Sequence, residues 1–350
     1  MTLTDHLLAQ IADTGPVTLA DYMATCLMHP TLGYYTTRDP LGAEGDFTTA
    51  PEISQMFGEL IGLALAQAWI DQSRPDFVLA ELGPGRGTLM ADILRATRGV
   101  AGFAEAATVH LVETSPTLRE AQAAAVPSAV FHDSIETLPD LPLFLVANEF
   151  FDALPIRQFT RDGRGWRETV VGSEDGALRL GLSPAAPLGL LSHRLEDTKD
   201  GDVVEVCPSL PAIVQNVAQR ISDHGGAALF IDYGDWRSLG DTFQALKDHA
   251  TVDPLDTPGQ ADLTAHVDFA AIAEASPPSI HSAMTPQGVF LERLGITPRA
   301  QALAKGLEGD ALETHIAAHR RLTAPDQMGT LFKVIGLTPK DAPAIAGLSK

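Results

Sequence analysis

The most constraining feature of this sequence is a glycine-rich segment at residues 81–88, ELGPGRGT, placed between two apolar runs. The preceding run, 77–82, is short and apolar, as is typical of a strand covered on both faces. The following run, 89–96, repeats apolar residues at helical spacing. Glycines let the backbone turn sharply and approach a ligand, and the next helix offers unpaired N–H groups at its start. The segment therefore predicts a nucleotide-cofactor loop between a strand and a helix.

The spacing of the glycines indicates which cofactor the loop suits. A dinucleotide fingerprint has the form G-x-G-x-x-G, but here Gly87 comes one residue early and Thr88 stands where that pattern needs glycine. An NAD loop is therefore disfavoured. The form E-x-G-x-G-x-G resembles motif I of the class I methyltransferases, which use S-adenosylmethionine. An ordinary strand-to-helix turn is the remaining alternative.

Two further predicted strands end in acids. The run 108–112 is followed by Glu113, which can accept hydrogen bonds from both hydroxyls of a ribose. The run 129–131 is followed by His132 and Asp133, and an aspartate there can accept from the exocyclic amine of an adenine. Because ligands of a doubly wound sheet bind beyond the carboxyl ends of its strands, these acids are expected at one edge.

The charge of the chain limits its partners. Among 350 residues, 45 are Asp or Glu and 24 are Lys or Arg, which gives a formal net charge of −21. Binding a phosphate backbone needs a basic face, so we do not expect a nucleic-acid partner. The two cysteines, Cys26 and Cys207, lie far apart without metal-ligand spacing, so neither a disulfide nor a metal site is expected.

Two features bear on cellular location. No Lys or Arg precedes Arg38, so the start lacks the basic character of a secretory signal or a mitochondrial transit peptide. The longest apolar stretch, around 61–70, is about half the ~20 residues that a membrane span needs. These features predict a cytoplasmic protein that does not insert into a membrane.

The pattern along the chain divides it into four sections. Residues 1–75 are predicted to be mostly helical, and 76–160 to form a cofactor-binding core in which strand and helix signals alternate. Residues 161–206 contain Asp-Gly beside alternating apolar residues, which predicts a hairpin and an inserted β-rich section. Residues 207–350 supply the rest of the core with helical additions. The predicted fold class is α/β: a Rossmann-like class I methyltransferase sheet with a helical N-terminal region and a β-rich insertion.

A polar loop lies among the first helices. It is rich in turn residues and in side chains that can hydrogen-bond, and Asp46, Thr48 and Glu52 are candidates for binding the acceptor. Thr49 and Glu52 also have the spacing of a capping box, which would open one helix through residues 53–69. For Thr49 and Glu52 this structural role is an open alternative.

The fourth predicted strand, 143–147, is followed by Asn148-Glu149-Phe150-Phe151-Asp152. Methyltransferases that act on amino groups of nucleic-acid bases often have Asn/Asp-Pro-Pro-aromatic here, and this chain replaces the prolines by Glu149 and Phe150. A carboxylate at this strand end suits a guanidinium, a planar cation that it can hold by paired hydrogen bonds. Phe150 and Phe151 can exclude water and face the cation.

The same segment resembles Ser-Glu-Trp-Met of the protein arginine methyltransferases. That resemblance implies that Glu149 binds the acceptor. The second loop glutamate of those enzymes has no clear counterpart here. Asp152 is a candidate for it, and a helix cap is the alternative role for Asp152.

Motifs spread along the whole chain resemble the MidA-like family. They are HPTLGYY, GDFTTAPEIS, ELGPGRGTL, VETSP, NEFFDALP, EVCP, IDYG, DLTAHVDF, TPQGVFLERLG and MGTLFKV. That family includes a mitochondrial assembly factor that symmetrically dimethylates an arginine of a core subunit of respiratory complex I. The resemblance implies a methyltransferase that acts on a protein arginine, with a complex I subunit as partner and complex I assembly as the process it supports.

The expected site follows from the sheet argument and from this resemblance together. The cofactor, S-adenosyl-L-methionine, is assigned to Glu81, Gly83, Gly85, Gly87, Glu113, Asp133 and Asn148. The catalytic candidates are Glu149 and Asp152, and the acceptor is assigned to Asp46, Thr48, Glu52, Phe150, Phe151, Tyr233, Asp262 and His266. Two alternatives stay open: a methyltransferase for small molecules, and an assembly chaperone that binds the cofactor without turnover.

Overall fold

The computed structural model describes residues 2–37 and 48–350, which divide into two units. Unit 1 comprises the described residues within Met1–Pro40, together with Asp152–Leu210 and Arg237–Asp268. Unit 2 comprises those within Leu41–Phe151, together with Pro211–Trp236 and Phe269–Lys350. The four sections predicted from the sequence follow the chain, whereas each unit combines distant segments. The predicted helical region 1–75, for example, contributes to both units.

The α-helices and β-strands of the described residues are numbered in chain order. Up to residue 150 they are α1 (Leu3–Thr14), β1 (Val17–Thr18), α2 (Leu19–Met28), α3 (Tyr34–Thr37), α4 (Ala50–Ile53), α5 (Gln55–Asp71), β2 (Phe77–Leu82), α6 (Thr88–Thr97), α7 (Phe103–Ala106), β3 (Ala107–Val112), α8 (Pro116–Ala125), β4 (Val130–His132) and β5 (Leu143–Asn148). From there to residue 252 they are β6 (Arg157–Asp162), β7 (Gly165–Glu174), β8 (Ala177–Leu182), β9 (Val203–Val206), α9 (Leu210–His224), β10 (Gly226–Asp235), β11 (Gln244–Lys247) and β12 (Ala250–Val252). The rest are β13 (Asp262–Thr264), β14 (Val267–Asp268), α10 (Phe269–Ala275), β15 (Ile280–His281), β16 (Thr285–Pro286), α11 (Gln287–Leu294), α12 (Ile296–Ala304), α13 (Gly309–Thr323), α14 (Met328–Leu331) and β17 (Phe332–Thr338).

Unit 2 is built on a sheet with the strand order β15-β17-β10-β5-β2-β3-β4. The strands from β10 to β4 pair in parallel, and β17 is antiparallel to β10. β2 and β5 are buried at every residue, as expected for strands covered by helices on both faces. The chain order reverses between β2 and β5, and the crevice at such a switch point is where doubly wound sheets bind ligands.

The register of this sheet aligns the ends of its parallel strands. Leu82 of β2 is level with Val112 of β3 and with Ala147 of β5. Val112 is in turn level with His132 of β4. The residues that follow each strand therefore leave the sheet at one edge, as the sequence predicts for the cofactor-binding acids.

An aromatic cluster lies in the core of unit 2 beside this sheet. Trp69 of α5 meets the ring of Phe103 edge to face at a centroid distance of 5.3 Å, and Phe77 lies 4.9 Å from Phe103 and 5.0 Å from Phe144. Aromatic pairs with this geometry contribute about 0.5–1.5 kcal/mol each beyond their buried area. The cluster packs α5 against the first residue of β2, and the glycine loop follows the last residue of that strand.

Unit 1 contains a sheet with the order β1-β7-β6-β9, with β8 on the far side of β7. The hairpin predicted at the Asp-Gly pair is present, because Asp162 pairs with Gly165 and Gly163 adopts a φ of 58°. A smaller sheet has the order β12-β11-β13. The apolar side chains of α1 and α2 form a core with those of these strands, including Leu7, Tyr22 and Val171.

The predicted helix through residues 53–69 is wrong at its start. α4 ends at Ile53, Ser54 is extended, and the Ser54 hydroxyl accepts the N–H of Met56 at 3.3 Å to open α5. Thr49 occupies the position before α4, but its side chain makes no capping hydrogen bond. The predicted capping box is therefore absent. In the described part of the chain, no helix is both long and apolar enough to span a membrane.

Candidate cofactor and acceptor site

The three glycines of the 81–88 loop all have left-handed backbone conformations. Their φ angles are 59° at Gly83, 54° at Gly85 and 83° at Gly87. A Cβ atom on Gly83 would lie 2.8 Å from Cδ2 of Phe150, a distance that real Cβ atoms do not show. α6 begins directly after Gly87 without a side-chain cap, and the N–H of Met90 in its first turn donates to Glu81. Only glycine allows both this backbone and this close approach.

Glu81, at the end of β2, is a buried acid. Burial raises the pKa of its carboxyl to about 8, and a hydrogen bond from the N–H of Met90 opposes that rise only in part. Its Oε2 atom has no hydrogen-bond partner among the described residues. A buried carboxyl oxygen without a partner is costly, and a cationic ligand group would satisfy it. Glu81 therefore fits the amino group of an amino-acid ligand.

Glu113, directly after β3, is held in a fixed orientation. Its Oε1 accepts the N–H groups of Thr114 at 2.8 Å and Ser115 at 2.7 Å, and its Oε2 accepts from Nε2 of Gln122 at 3.2 Å. Burial raises the pKa of this carboxyl, and the three hydrogen bonds act in the opposite direction. A carboxylate oriented in this way at the end of the second parallel strand suits a pair of ribose hydroxyls.

Gln122 of α8 is a site residue that the sequence did not indicate. Its Nε2 donates to the carbonyl of Gly85 at 2.7 Å as well as to Glu113, so it joins the glycine loop to the acid after β3. Gln122 is fully buried, and its Oε1 has no partner among the residues that the structure describes. A glutamine on an amphipathic helix carries no motif, and only the tertiary fold brings it to the loop.

Asp133, after β4, is exposed and paired with an arginine. Its Oδ1 lies 2.7 Å from a guanidinium nitrogen of Arg119, and its side chain is 84% exposed. The same guanidinium donates through Nε to the backbone carbonyl of Glu113 at 2.8 Å. Arg119 therefore keeps Asp133 next to Glu113 at the strand edge. Its role toward adenine stays a prediction.

Glu149, after β5, has a strained backbone and a fixed side chain. Its φ is 51°, a conformation that costs a residue with a side chain about 1–3 kcal/mol. Its N–H donates to the carbonyl of Ile231 at 2.9 Å. Its Oε1 accepts the N–H of Ala50 at 2.9 Å and Nδ2 of Asn148 at 3.0 Å. Strain that the surroundings maintain in this way is concentrated at functional sites.

Asn148 and the two phenylalanines complete this strand end. The Oδ1 of Asn148 is buried without a partner among the described residues, so it is available to a ligand. The Phe150 ring is half-buried against Gly83 and meets Phe151 edge to face at 5.2 Å. Phe151 is 2% exposed and packs on Phe230 at 5.4 Å. Phe150 thus lies at the glycine loop, and Phe151 packs beside it in the core.

The remaining acceptor candidates of unit 2 have identified surroundings. Glu52 accepts the hydroxyl of Thr88 at 2.5 Å, and the carbonyl of Thr48 lies 3.4 Å from a nitrogen of Arg321. Tyr233 is 8% exposed and its ring packs 5.4 Å from that of Phe332. Asp46 lies outside the described residues.

Asp152, Asp262 and His266 belong to unit 1. The hydroxyl of Tyr35 donates to Oδ1 of Asp262 at 2.8 Å, and burial with the charges of Asp262 and Asp152 raises the pKa of that tyrosine. The carbonyl of Asp152 accepts the N–H of Ala265 at 3.0 Å, and the N–H of His266 donates to the Thr242 hydroxyl at 2.8 Å. Their assignments to catalysis and to the acceptor stay predictions.

The polar atoms of unit 2 fit S-adenosylmethionine. Buried oxygens of Glu81, Gln122 and Asn148 lack partners within the described chain, and all three residues lie at or beside the carboxyl ends of the parallel strands. The cofactor offers an ammonium group and several hydroxyl and amine donors, which are what such oxygens need. Within residues 2–37 and 48–350, no cluster of three or more His, Cys, Asp or Glu residues could hold a metal ion.

Comparison with known proteins agrees with this geometry. Residues 60–283 match the model of a family of S-adenosyl-L-methionine-dependent methyltransferases. A crystal structure of a Burkholderia thailandensis protein bound to S-adenosyl-homocysteine has a TM-score of 0.84 and 28% identity, covering 99% of this chain and 94% of that chain. The predicted α/β methyltransferase fold and S-adenosylmethionine as the cofactor are confirmed.

Animal relatives align with almost the whole chain. A protein from Xenopus tropicalis is 37% identical over 99% of this chain and 89% of its own length, and one from Homo sapiens is 36% identical over 95% and 82%. Both are named protein arginine methyltransferase NDUFAF7, mitochondrial. The predicted cytoplasmic location is therefore wrong, because these relatives are mitochondrial. The lack of early basic residues was a poor guide to location.

Proposed function

This chain belongs to the S-adenosyl-L-methionine-dependent methyltransferase family whose model it matches, and we propose that it methylates an arginine of a protein. The finer proposal is that the substrate protein is a subunit of respiratory complex I and that its methylation supports assembly of the complex. Relatives at 36–38% identity are named protein arginine methyltransferases, which supports the acceptor class. The complex I subunit is proposed on the MidA-like resemblance alone.

The observation that carries the proposal is the carboxylate of Glu149. It stands after the fourth parallel strand, with one oxygen oriented by two N–H donors and its backbone held at a φ of 51°. A carboxylate in a fixed orientation can hold one face of a guanidinium, whose planar set of donors matches it. Because a guanidinium stays protonated near neutral pH, the acid also favours its entry by charge.

The residues around the site have separate roles in this reaction. When bound, S-adenosylmethionine supplies a methyl group that is already activated by the sulfonium. Glu81, Glu113 and the glycine loop would hold the cofactor, while Glu149 would orient the guanidinium and accept the proton that the methylated nitrogen loses. The half-buried ring of Phe150 would exclude water beside Gly83. Most of the rate acceleration would come from this positioning, since the leaving group is already good.

The test uses Glu149→Gln in the full-length protein. The variant keeps the size of the side chain and its acceptor oxygen but loses the charge, so we expect unchanged cofactor affinity and a loss of methyl transfer on the order of a hundredfold or more. Methyl-labelled cofactor, complex I subunits and peptide mapping locate the label. Calorimetry with S-adenosylhomocysteine measures cofactor affinity separately.

Glu105→Gln is the matched control, because Glu105 is an exposed glutamate on α7 of the same unit. It should transfer methyl groups at the wild-type rate. Label found on an arginine and lost only in Glu149→Gln supports the proposal. Turnover with small amines and no label in protein would instead identify a small-molecule methyltransferase, and a Glu149→Gln protein that labels arginine normally would exclude the role of this acid.

A further inference from the structure

The segment from Thr48 to Ser54 links the cofactor loop to the acceptor acid. At one end, the hydroxyl of Thr88 donates to Oε1 of Glu52 at 2.5 Å. Thr88 is the first residue of α6, directly after the last glycine of the loop. A hydrogen bond to a carboxylate is about twice as strong as one between neutral groups. Glu52 therefore fastens this segment to the start of α6.

A second contact of the segment is with Glu149. The N–H of Ala50 donates to Oε1 of Glu149 at 2.9 Å, and Ala50 is fully buried. Ala50 and Glu52 lie two residues apart in α4, a single helical turn with proline at its start. Proline restricts the backbone of that turn, which connects the two residues that make these hydrogen bonds. A shift of Glu52 would therefore also shift the N–H of Ala50, because both belong to α4.

The backbone of the segment is also held by hydrogen bonds of its own and by a contact from Arg321. The N–H groups of Glu52 and Ile53 donate to the carbonyl of Thr49, at 2.9 and 3.2 Å, and Thr48 receives the contact from Arg321. Glu52 is thus not needed to form the turn itself. Its carboxylate accepts the hydroxyl of Thr88, and the capping box that its spacing from Thr49 suggests is not formed.

We propose that Glu52 and Thr88 are positioning residues, which hold α4 so that the N–H of Ala50 orients the Glu149 carboxylate relative to the cofactor loop. This rests on the proposed role of Glu149 in binding the acceptor. Occupation of the glycine loop and the geometry of the acceptor acid are then coupled through four residues. The physical reason is that misplacing a substrate-holding group by about 1 Å can cost on the order of a hundredfold in rate.

The experiment compares loss and conservative variants in the full-length protein. Glu52→Ala and Thr88→Val each remove the hydrogen bond, whereas Glu52→Gln keeps an acceptor oxygen and Thr88→Ser keeps the hydroxyl. We expect the two loss variants to lower kcat at least about tenfold, with an affinity for S-adenosylhomocysteine within about threefold of wild type. The double variant Glu52→Ala/Thr88→Val should be no slower than either single one, since both remove one interaction.

A second measurement does not depend on activity. Hydrogen exchange in a peptide that contains Ala50 should be faster in Glu52→Ala and Thr88→Val than in wild type, and near wild type in Glu52→Gln and Thr88→Ser. All four proteins should retain their thermal midpoints within a few degrees, because both side chains are half-buried on the surface of unit 2.

The outcomes separate this inference from the proposed function. Wild-type kcat and wild-type exchange in the two loss variants would overturn the positioning role while leaving arginine methylation intact. Additive losses in the double variant would also overturn it, because the two residues would then act separately. If the wild-type protein labels no protein at all, the proposed function fails, and the exchange measurement still decides whether Thr88 and Glu52 hold the N–H of Ala50.

Discussion

The carboxylate of Asp232 accepts the backbone N–H of Phe150 at 3.1 Å across 82 residues of chain. The same oxygen, Oδ2, accepts the N–H of Phe151 at 3.0 Å, and Oδ1 accepts the N–H of Tyr233 at 2.9 Å. Asp232 is 1% exposed. A buried aspartate on β10 therefore fastens the acceptor segment at the two residues that follow the strained Glu149.

Replacing Asp232 by alanine should destabilise the protein and impair turnover together. It removes the side-chain acceptor of three N–H groups, two of them buried. Because these hydrogen bonds are made to a charged group, we expect the free energy of unfolding to fall by at least about 3 kcal/mol. We expect kcat to fall at least about tenfold, since the segment that carries Glu149 is no longer held. Urea unfolding and single-turnover methyl transfer measure the two effects. A variant of normal kcat would show that Glu149 keeps its position without Asp232.

Asp232→Asn is the graded comparison. Its one amide oxygen can still accept from Phe150 and Phe151, while the amide group faces the N–H of Tyr233 donor to donor. We expect a smaller loss of kcat than in the alanine variant. Equal losses in both variants would mean that the charge of Asp232, rather than its hold on the two phenylalanines, is what matters.

Gly83→Ala should weaken cofactor binding. The new Cβ would meet the Phe150 ring at 2.8 Å, and a φ of 59° costs a residue with a side chain about 1 kcal/mol or more. Either the ring or the loop must move, so we expect affinity for S-adenosylhomocysteine to fall about tenfold or more in calorimetry. Gly99→Ala is the control, because nothing lies within 4 Å of a Cβ at Gly99. Unchanged affinity in Gly83→Ala would contradict the close fit between the loop and Phe150.

Cofactor binding should release a proton from Glu81 near neutral pH. Burial raises the pKa of this carboxyl to about 8, so it is mostly protonated at pH 7 in the ligand-free protein. A cofactor ammonium beside it favours the ionised form, and the proton leaves on binding. Calorimetry at pH 7 in buffers of different ionisation enthalpy should detect release of up to about one proton, falling toward zero by pH 9.

The matched variant for that measurement is Glu81→Gln. It keeps the shape of the side chain and cannot lose a proton, so its binding enthalpy should not depend on the buffer. Release of the same number of protons by this variant would assign the effect to another group. The raised pKa also affects stability. In the ligand-free protein, the contribution of Glu81 to the free energy of unfolding falls as the pH rises from about 4.5 toward about 8.

Stability should fall on the acid side because of a histidine pair. Nδ1 of His110 lies 2.8 Å from Nε2 of His132, and burial lowers the pKa of both rings, with Arg119 lowering that of His132 further and Asp133 opposing it. These two histidines therefore bind protons more readily in the unfolded chain than in the folded protein. The contribution of the neutral histidine pair to the free energy of unfolding is fully present above about pH 6.5 and is lost as the pH falls below that value.

Thermal midpoints measured from pH 8 to pH 5 test the histidine pair. His132→Gln should show a shallower decline than wild type, since one titrating ring and the ring-to-ring contact are removed. His224→Gln is a control on another element, at the end of α9. If the thermal midpoints of wild type and His132→Gln decline equally with falling pH, the histidine pair is not responsible for the loss of stability in acid.

The parts of the site that depend on local sequence could be predicted well. The positions of β2, β3, β4 and β5 and of the glycine loop follow from apolar runs and turn residues that neighbour each other in the chain. Thr49 and Glu52 have the spacing of a capping box, but the prediction was wrong because the Glu52 carboxylate accepts the hydroxyl of Thr88 instead. A competing donor 36 residues away cannot be inferred from spacing.

The sequence by itself determined the parallel sheet, the loop at its switch point and the acids that follow its strands, because periodicity, glycine conformation and strand ends are local properties of a chain. Only the tertiary structure decided what those acids contact. Gln122 reaches Glu113, Asp232 holds Phe150, and the N–H of Ala50 orients Glu149. Gln122 and Glu113 are nine residues apart and the other two pairs are 82 and 99 residues apart. Hydrogen bonds depend on distances of a few ångströms that only the packed fold establishes.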